Sequence, residues 1–134
     1  MADFWSEDWF AAVLAAGQAL PTVEGVTFTF DVEVAESAHG KVRGHGEVVE
    51  GRLDSFASGK FVPETKGESA DVSFIGKAKR LLPIIDGDQP ALVAYMLGEL
   101  KIDGAYELVV DHLANRGDRS ALEGFRATVA AATD

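Results

Sequence analysis

The sequence contains no cysteine. Disulfides, thiolate nucleophiles and cysteine-type zinc sites are therefore excluded at the outset. Histidine is scarce as well. His39, His45 and His112 show neither the His-Glu-x-x-His spacing nor a carboxylate cluster beside a histidine pair, so no metal site is expected. The glycines at 40, 44 and 46 do not follow a dinucleotide fingerprint and do not open a helix, so no nucleotide cofactor is expected either. Basic side chains are few: 12 Lys and Arg stand against 22 Asp and Glu, a formal charge of −10. Such a surface repels phosphate backbones and anionic membranes, which argues against nucleic acid as a partner.

Long hydrophobic runs are also missing. A bilayer span needs roughly 18–20 apolar residues in a row. The longest uncharged stretch, Trp9 to Val23, is interrupted by Gly17, Gln18 and Pro21. Asp3, Glu7 and Asp8 precede it, where a secretory leader would carry positive charge. The expectation is a protein without a transmembrane segment, cytoplasmic by default.

What is present is ordinary globular material: 134 residues, 47% apolar and 25% charged. That is enough chain for one domain, 1–134, with a core that needs no staple. Glu7 to Ala19 reads as a helix, with Ser6 as its N-cap and Glu7 and Asp8 complementing the dipole. Val26 to Ala35 alternates strictly. Phe28, Phe30, Val32 and Val34 fall on one face, and Thr27, Thr29, Asp31 and Glu33 on the other, which predicts a strand with one dry and one wet side. His39-Gly40 turns into a partner strand, Lys41 to Glu50. Arg52 to Val62 supplies a third strand after a turn at Glu50-Gly51. Pro63 to Ser69 reads as a polar loop, and Asp71 to Ile75 as a fourth strand. Lys77 to Asp86 is a short helix disturbed by Pro83, and a second helix runs from near Asp88 to Gly98. Leu100 and Ile102 mark a last strand. A helix carrying Tyr106, Val109, Val110 and Leu113 ends at Gly117. A closing helix follows, with Ser120 and Glu123 as a capping box and Leu122, Phe125 and Val129 as its apolar stripe. Strands first and helices after predict an α+β fold: an open, mainly antiparallel sheet with helices on one face.

The stretch Ala94-Tyr95-Met96-Leu97-Gly98-Glu99-Leu100-Lys101-Ile102-Asp103-Gly104 is similar to the helix-end-to-strand motif of the sterol carrier protein 2 family. Upstream, Asp71-Val72-Ser73-Phe74 resembles the strand of that family. The order of elements matches over nearly the whole chain. Gln89 separates Asp88 from Pro90, where the family often has Asp-Pro, and the C-terminus is not a Ser-Lys-Leu peroxisomal signal. The resemblance implies a five-stranded sheet with helices on one side and an apolar tunnel between the layers. It implies as ligand a fatty acid, acyl-CoA, sterol or similar lipid, held by a carrier or accessory binding protein. Phe28, Phe30, Val32, Phe74, Leu100 and Ile102 would line the sheet side of that tunnel, and Leu82, Ile85, Tyr95 and Met96 the helix side. Each of these is equally compatible with a filled core.

Other features admit two readings each. Gly44 and Gly46 share a strand face with Val42 and Val48, and either leave room for a ligand or let neighbouring groups pack closely. His45 and Glu47 share a strand face and could serve as a base and its orienter, but Arg43 has the same parity, which fits a solvated face. Lys77, Lys79 and Arg80 form a small basic spot, suited to an anionic head group or simply to solvent. Besides the carrier, a small cofactor-free isomerase, cyclase or hydrolase acting on a hydrophobic polyketide-like or steroid-like substrate stays open. So does an interaction domain with a filled core. A buried carboxylate or histidine would favour the enzyme; apolar walls with a polar mouth would favour the carrier.

Overall fold

The first helix, α1 (Glu7–Gln18), begins where the Ser6 hydroxyl accepts a hydrogen bond from the Trp9 N–H at 3.2 Å. Its buried positions Trp9, Val13 and Gly17 recur every four residues, with Phe10 beside them, as one face of a 3.6-residue helix requires. The computed structural model describes residues 3–62, 69–116 and 118–133. Three strands follow α1: β1 (Phe28–Ser37), β2 (Gly40–Val49) and β3 (Arg52–Ser58). The chain then passes through β4 (Val72–Lys77), α2 (Ala78–Asp86), α3 (Ala91–Met96) and β5 (Leu100–Gly104). It ends with α4 (Tyr106–Asp111), a π-helical turn (His112–Arg116) and α5 (Arg119–Ala132). The polar loop expected at 63–69, apart from Ser69, and the helix end expected at Gly117 lie outside the described residues.

The sheet has five strands in the order β3-β2-β1-β4-β5. β1 is central, antiparallel to β2 and parallel to β4, while β2–β3 and β4–β5 are antiparallel. The sheet is thus mostly antiparallel with one parallel pair, and that pair exists because β4 returns beside β1 after β3. The tight β2–β3 link places Glu50 at φ 49° and Gly51 at φ 81°. Two successive left-handed residues match the twist of a two-residue hairpin.

The dry and wet faces of β1 divide as the alternation predicts. Phe28, Phe30 and Val34 are buried and Val32 half-buried. On the other face Glu33 meets Lys41 and Arg43, each at 3.3 Å. The start of β1 is pinned by a reciprocal pair: the Thr29 N–H donates to the Asp71 carboxylate, and the Asp71 N–H donates to the Thr29 hydroxyl.

The dry face is covered by α1, α2 and α3, and α5 packs in turn on α1 and α2. The two glycines of β2 explain how the sheet half of this core closes. A methyl group at Gly44 would stand 3.0 Å from the Trp5 ring and 3.4 Å from Phe10. At Gly46 it would fall on the Ser55 carbonyl oxygen and within 2.9 Å of the Phe30 ring. Close packing, not ligand space, is therefore what these glycines provide, with aromatic rings laid over bare backbone. Trp5 reaches this position from a left-handed backbone conformation, φ 73°, and its indole N–H donates to the Arg43 carbonyl at 3.0 Å. Phe4, Trp9, Phe10 and Phe56 continue the cluster in edge and tilted contacts with ring centroids 4.6–5.9 Å apart, the geometry that aromatic quadrupoles favour.

α5 is capped by Asp118, not by Ser120. The Asp118 carboxylate accepts from the Ala121 N–H at 2.9 Å. Asp118 holds extended backbone (φ −71°, ψ 113°) one residue before the helix, which is where a capping acceptor must sit. Glu123 is released from the expected capping box to pair with Arg126.

Candidate apolar ligand site

Between the helices lies a pocket of about 890 Å³, near the upper end of the roughly 300–1,000 Å³ typical of small-molecule sites. Its floor is built by Trp9 and Val13 of α1 with Phe56 of β3, the sheet's single contribution. One wall is the C-terminal end of α2, Ile84 and Ile85, continuing through the loop to Ala91 and Leu92 of α3. Leu113 and Ala114 of the π-helical turn close one end. The roof is the stripe of α5, Leu122, Phe125 and Val129, the same three residues that the spacing of the closing helix aligns on one face.

The charged lining residues are Arg119, Glu123 and Arg126, all on α5, with Gln89 adding an amide. Arg119 and Glu123 are exposed, which puts them at the mouth. Arg126 ties the roof to the wall. Its Nη1 donates to the Ile85 carbonyl at 2.6 Å, while Nε and Nη2 bind the Glu123 carboxylate at 2.6–3.0 Å. The Ile85 carbonyl is one of those left over at the end of α2, so a guanidinium is a natural partner for it. Gly87 permits the approach in two ways: it turns the chain at φ 84°, and a methyl group there would stand 2.9 Å from the guanidinium carbon. The hydrogen bond from Arg126, with the nearby positive charge adding to it, holds the Glu123 carboxyl below its ordinary value. The same hydrogen bond raises Arg126, with Asp86 and Asp88 contributing more weakly.

Of the residues expected to line a tunnel, Ile85 lines this pocket. Phe28, Phe30, Leu100 and Ile102 are buried in the packed core, and Val32, Phe74 and Tyr95 pack against it half-buried. Leu82 is half-buried on α2 outside that cluster. Met96 departs most: its side chain is 82% exposed. The reason is the helical phase of α3. Ala94 is fully buried, and a residue two positions on is rotated by roughly 200°, to the far side of the helix. The void sits among the helices because Phe30, Trp5 and Phe10 already fill the sheet's inner face over Gly46 and Gly44.

Phe56, Leu113, Ala114, Arg119 and Arg126 have no sequence feature that announces a site. Among the described residues no group of His, Asp and Glu could hold a metal. The His45 Nδ1–H donates to the Gly59 carbonyl at 3.1 Å from a half-buried strand position outside the pocket lining. Lys77 and Arg80 pair with Glu36 and Glu99, so two of the three cations of the basic spot are engaged on the surface.

No protein-family model matches the sequence, and no curated protein matches it. Solved structures do match. A crystal structure of sterol carrier protein 2 is 13% identical, covers 96% of this chain and 98% of its own, and superposes with a TM-score of 0.67. Sterol carrier protein 2 like 2 from Aedes aegypti is 17% identical, with 81% of this chain and 94% of its own covered, at a TM-score of 0.59. The palmitated form of the Aedes protein matches at 17% identity and a TM-score of 0.57, covering 87% of this chain and 100% of its own. The strand order, the helices on one face of the sheet and these superpositions agree that the chain has the sterol carrier protein 2 fold.

Proposed function

We propose that the protein binds a hydrophobic ligand with a single polar end, a fatty acid, acyl-CoA, sterol or similar lipid, as a carrier or accessory binding protein. The observation that carries this reading is the pocket under α5: mainly apolar walls, with Arg119 and Glu123 exposed at the mouth and Arg126 engaged by Glu123 and the Ile85 carbonyl. Among the described residues no polar or charged residue is buried. An apolar body would lie against Trp9, Phe56 and Phe125, and a polar end would meet Gln89 and Arg119 where water is still at hand. Palmitate on the Aedes protein of the same fold supports a ligand of this class.

The test is a titration with a fluorescent fatty acid analogue. Leu122→Trp places a large ring in the roof and should weaken binding by about tenfold or more, the equivalent of ~1.4 kcal/mol. Ala91→Phe narrows the opposite wall and should act in the same direction, which guards against one variant repacking. Unchanged affinity in both folded variants, or a wild-type protein that takes up neither acyl nor sterol probes, would overturn the reading.

A further inference from the structure

Segment 89–98, Gln-Pro-Ala-Leu-Val-Ala-Tyr-Met-Leu-Gly, has no charged residue in a chain of formal charge −10. α3 lies within it and exposes large apolar side chains: Met96 at 82% and Val93 at 42%, followed by Leu97 at 65%. They are contiguous with the pocket. Ala91 and Leu92 line its wall, and residues four apart on a helix are neighbours on one face. Met96 therefore stands one turn beyond Leu92, so an apolar stripe runs from the pocket wall out to solvent. Val93 and Leu97 form a second stripe beside it.

We propose that this face of α3 docks on an electrically neutral lipid surface, where ligand passes between membrane and pocket. The inference rests on the reading of the pocket as a ligand site, but its occupant follows from separate features. A second copy of the chain would bring another net charge of −10 against the first. A handful of side chains on a six-residue helix also falls short of the roughly 800 Å² per partner that a stable protein interface buries. A lipid interface needs no shape complementarity. It gains from each inserted apolar side chain, and it penalises the acidic surroundings only where the lipid is anionic. Met96 and Leu97 are the anchors, and Leu92 leads inward.

The experiment compares wild type with Met96→Asp/Leu97→Asp, using ligand-free protein and vesicles of zwitterionic phosphatidylcholine. A control, Val62→Asp, alters a side chain that is 79% exposed and outside α3. Flotation reads association, and transfer of a fluorescent fatty acid from vesicle to protein reads exchange. The double variant should lose flotation and slow transfer about fivefold or more, with the same melting temperature and the same affinity for the free probe. Val62→Asp should match wild type, and anionic lipid in the vesicles should weaken association of wild type. Flotation and transfer of the double variant equal to wild type would overturn the proposal. So would light scattering that shows a wild-type dimer broken by the double substitution, which would assign the face to a second copy. Because flotation is read without ligand, a pocket that binds no probe leaves the surface test standing.

Discussion

The glycines of β2 show how much a single hydrogen atom decides here. Gly46→Ala would drive a methyl group onto the Ser55 carbonyl, which belongs to the strand ladder and cannot turn away. Overpacking of this kind costs about 1–3 kcal/mol or more, and urea unfolding of the variant should read a loss at the top of that range. Gly44→Ala meets the edge of Trp5 at 3.0 Å, and a side chain can yield where backbone cannot, so its loss should be smaller. Phe30→Ala removes the ring that covers Gly46 and should cost about 3–5 kcal/mol. These positions also mark a limit of sequence reading. The alternation of β1 announced Phe28 and Phe30 as inward facing, because period two is a local property. What lies over Gly44 is supplied by Trp5 and Phe10 from the N-terminal end of the chain, and no local pattern specifies that.

Among the elements, α5 carries the pocket and α2 holds it in place. Glu123 has its carboxyl depressed by Arg126. A depressed acid contributes stability above its unfolded value, about 4.3 for Glu, and that contribution is lost as pH falls through the lower folded value. Acid titration of thermal unfolding should therefore show the Glu123–Arg126 pair of α5 failing as pH falls below the ordinary carboxylate range. Arg126→Gln should melt lower at neutral pH and show a shallower acid dependence over that window. Arg126→Lys should not rescue it, because an ammonium cannot span the Ile85 carbonyl and the Glu123 carboxylate together. Leu122→Ala should sit at the low end of the about 2–5 kcal/mol usual for a buried leucine, since on its pocket side there are few atoms to lose. The Leu122, Phe125 and Val129 stripe was legible as a helical face. That it roofs a void was not, because the void depends on how α5 stacks over α1 and α2. Met96 lies in a stretch that resembles the sterol carrier protein 2 motif, and the phase of a six-residue helix, which that resemblance does not specify, turns it outward.

For the whole molecule, the charge and the apolar surfaces divide the labour. Net charge of −10 keeps the acidic faces apart from one another and from anionic surfaces, while the uncharged segment 89–98 leaves one approach open beside the pocket. The layer order was readable from the succession of strands and helices. The return of β4 to the parallel side of β1 was not, since it is fixed by the pairing of Phe30 with Val72 across the sheet.

Trp9 occupies a privileged place in this arrangement. Its ring forms part of the pocket floor, while its indole N–H donates to the Thr133 hydroxyl at 2.8 Å, joining the first helix to the residue that ends the last. The protein thus has a built-in optical reporter. The sequence holds only one other tryptophan, Trp5, which lies over Gly44 and not in the pocket. In a Trp5→Phe protein, emission would come from Trp9 alone. Filling the pocket with an acyl chain would set new atoms against the ring and change that emission, while a ligand bound elsewhere would leave the spectrum where it stood.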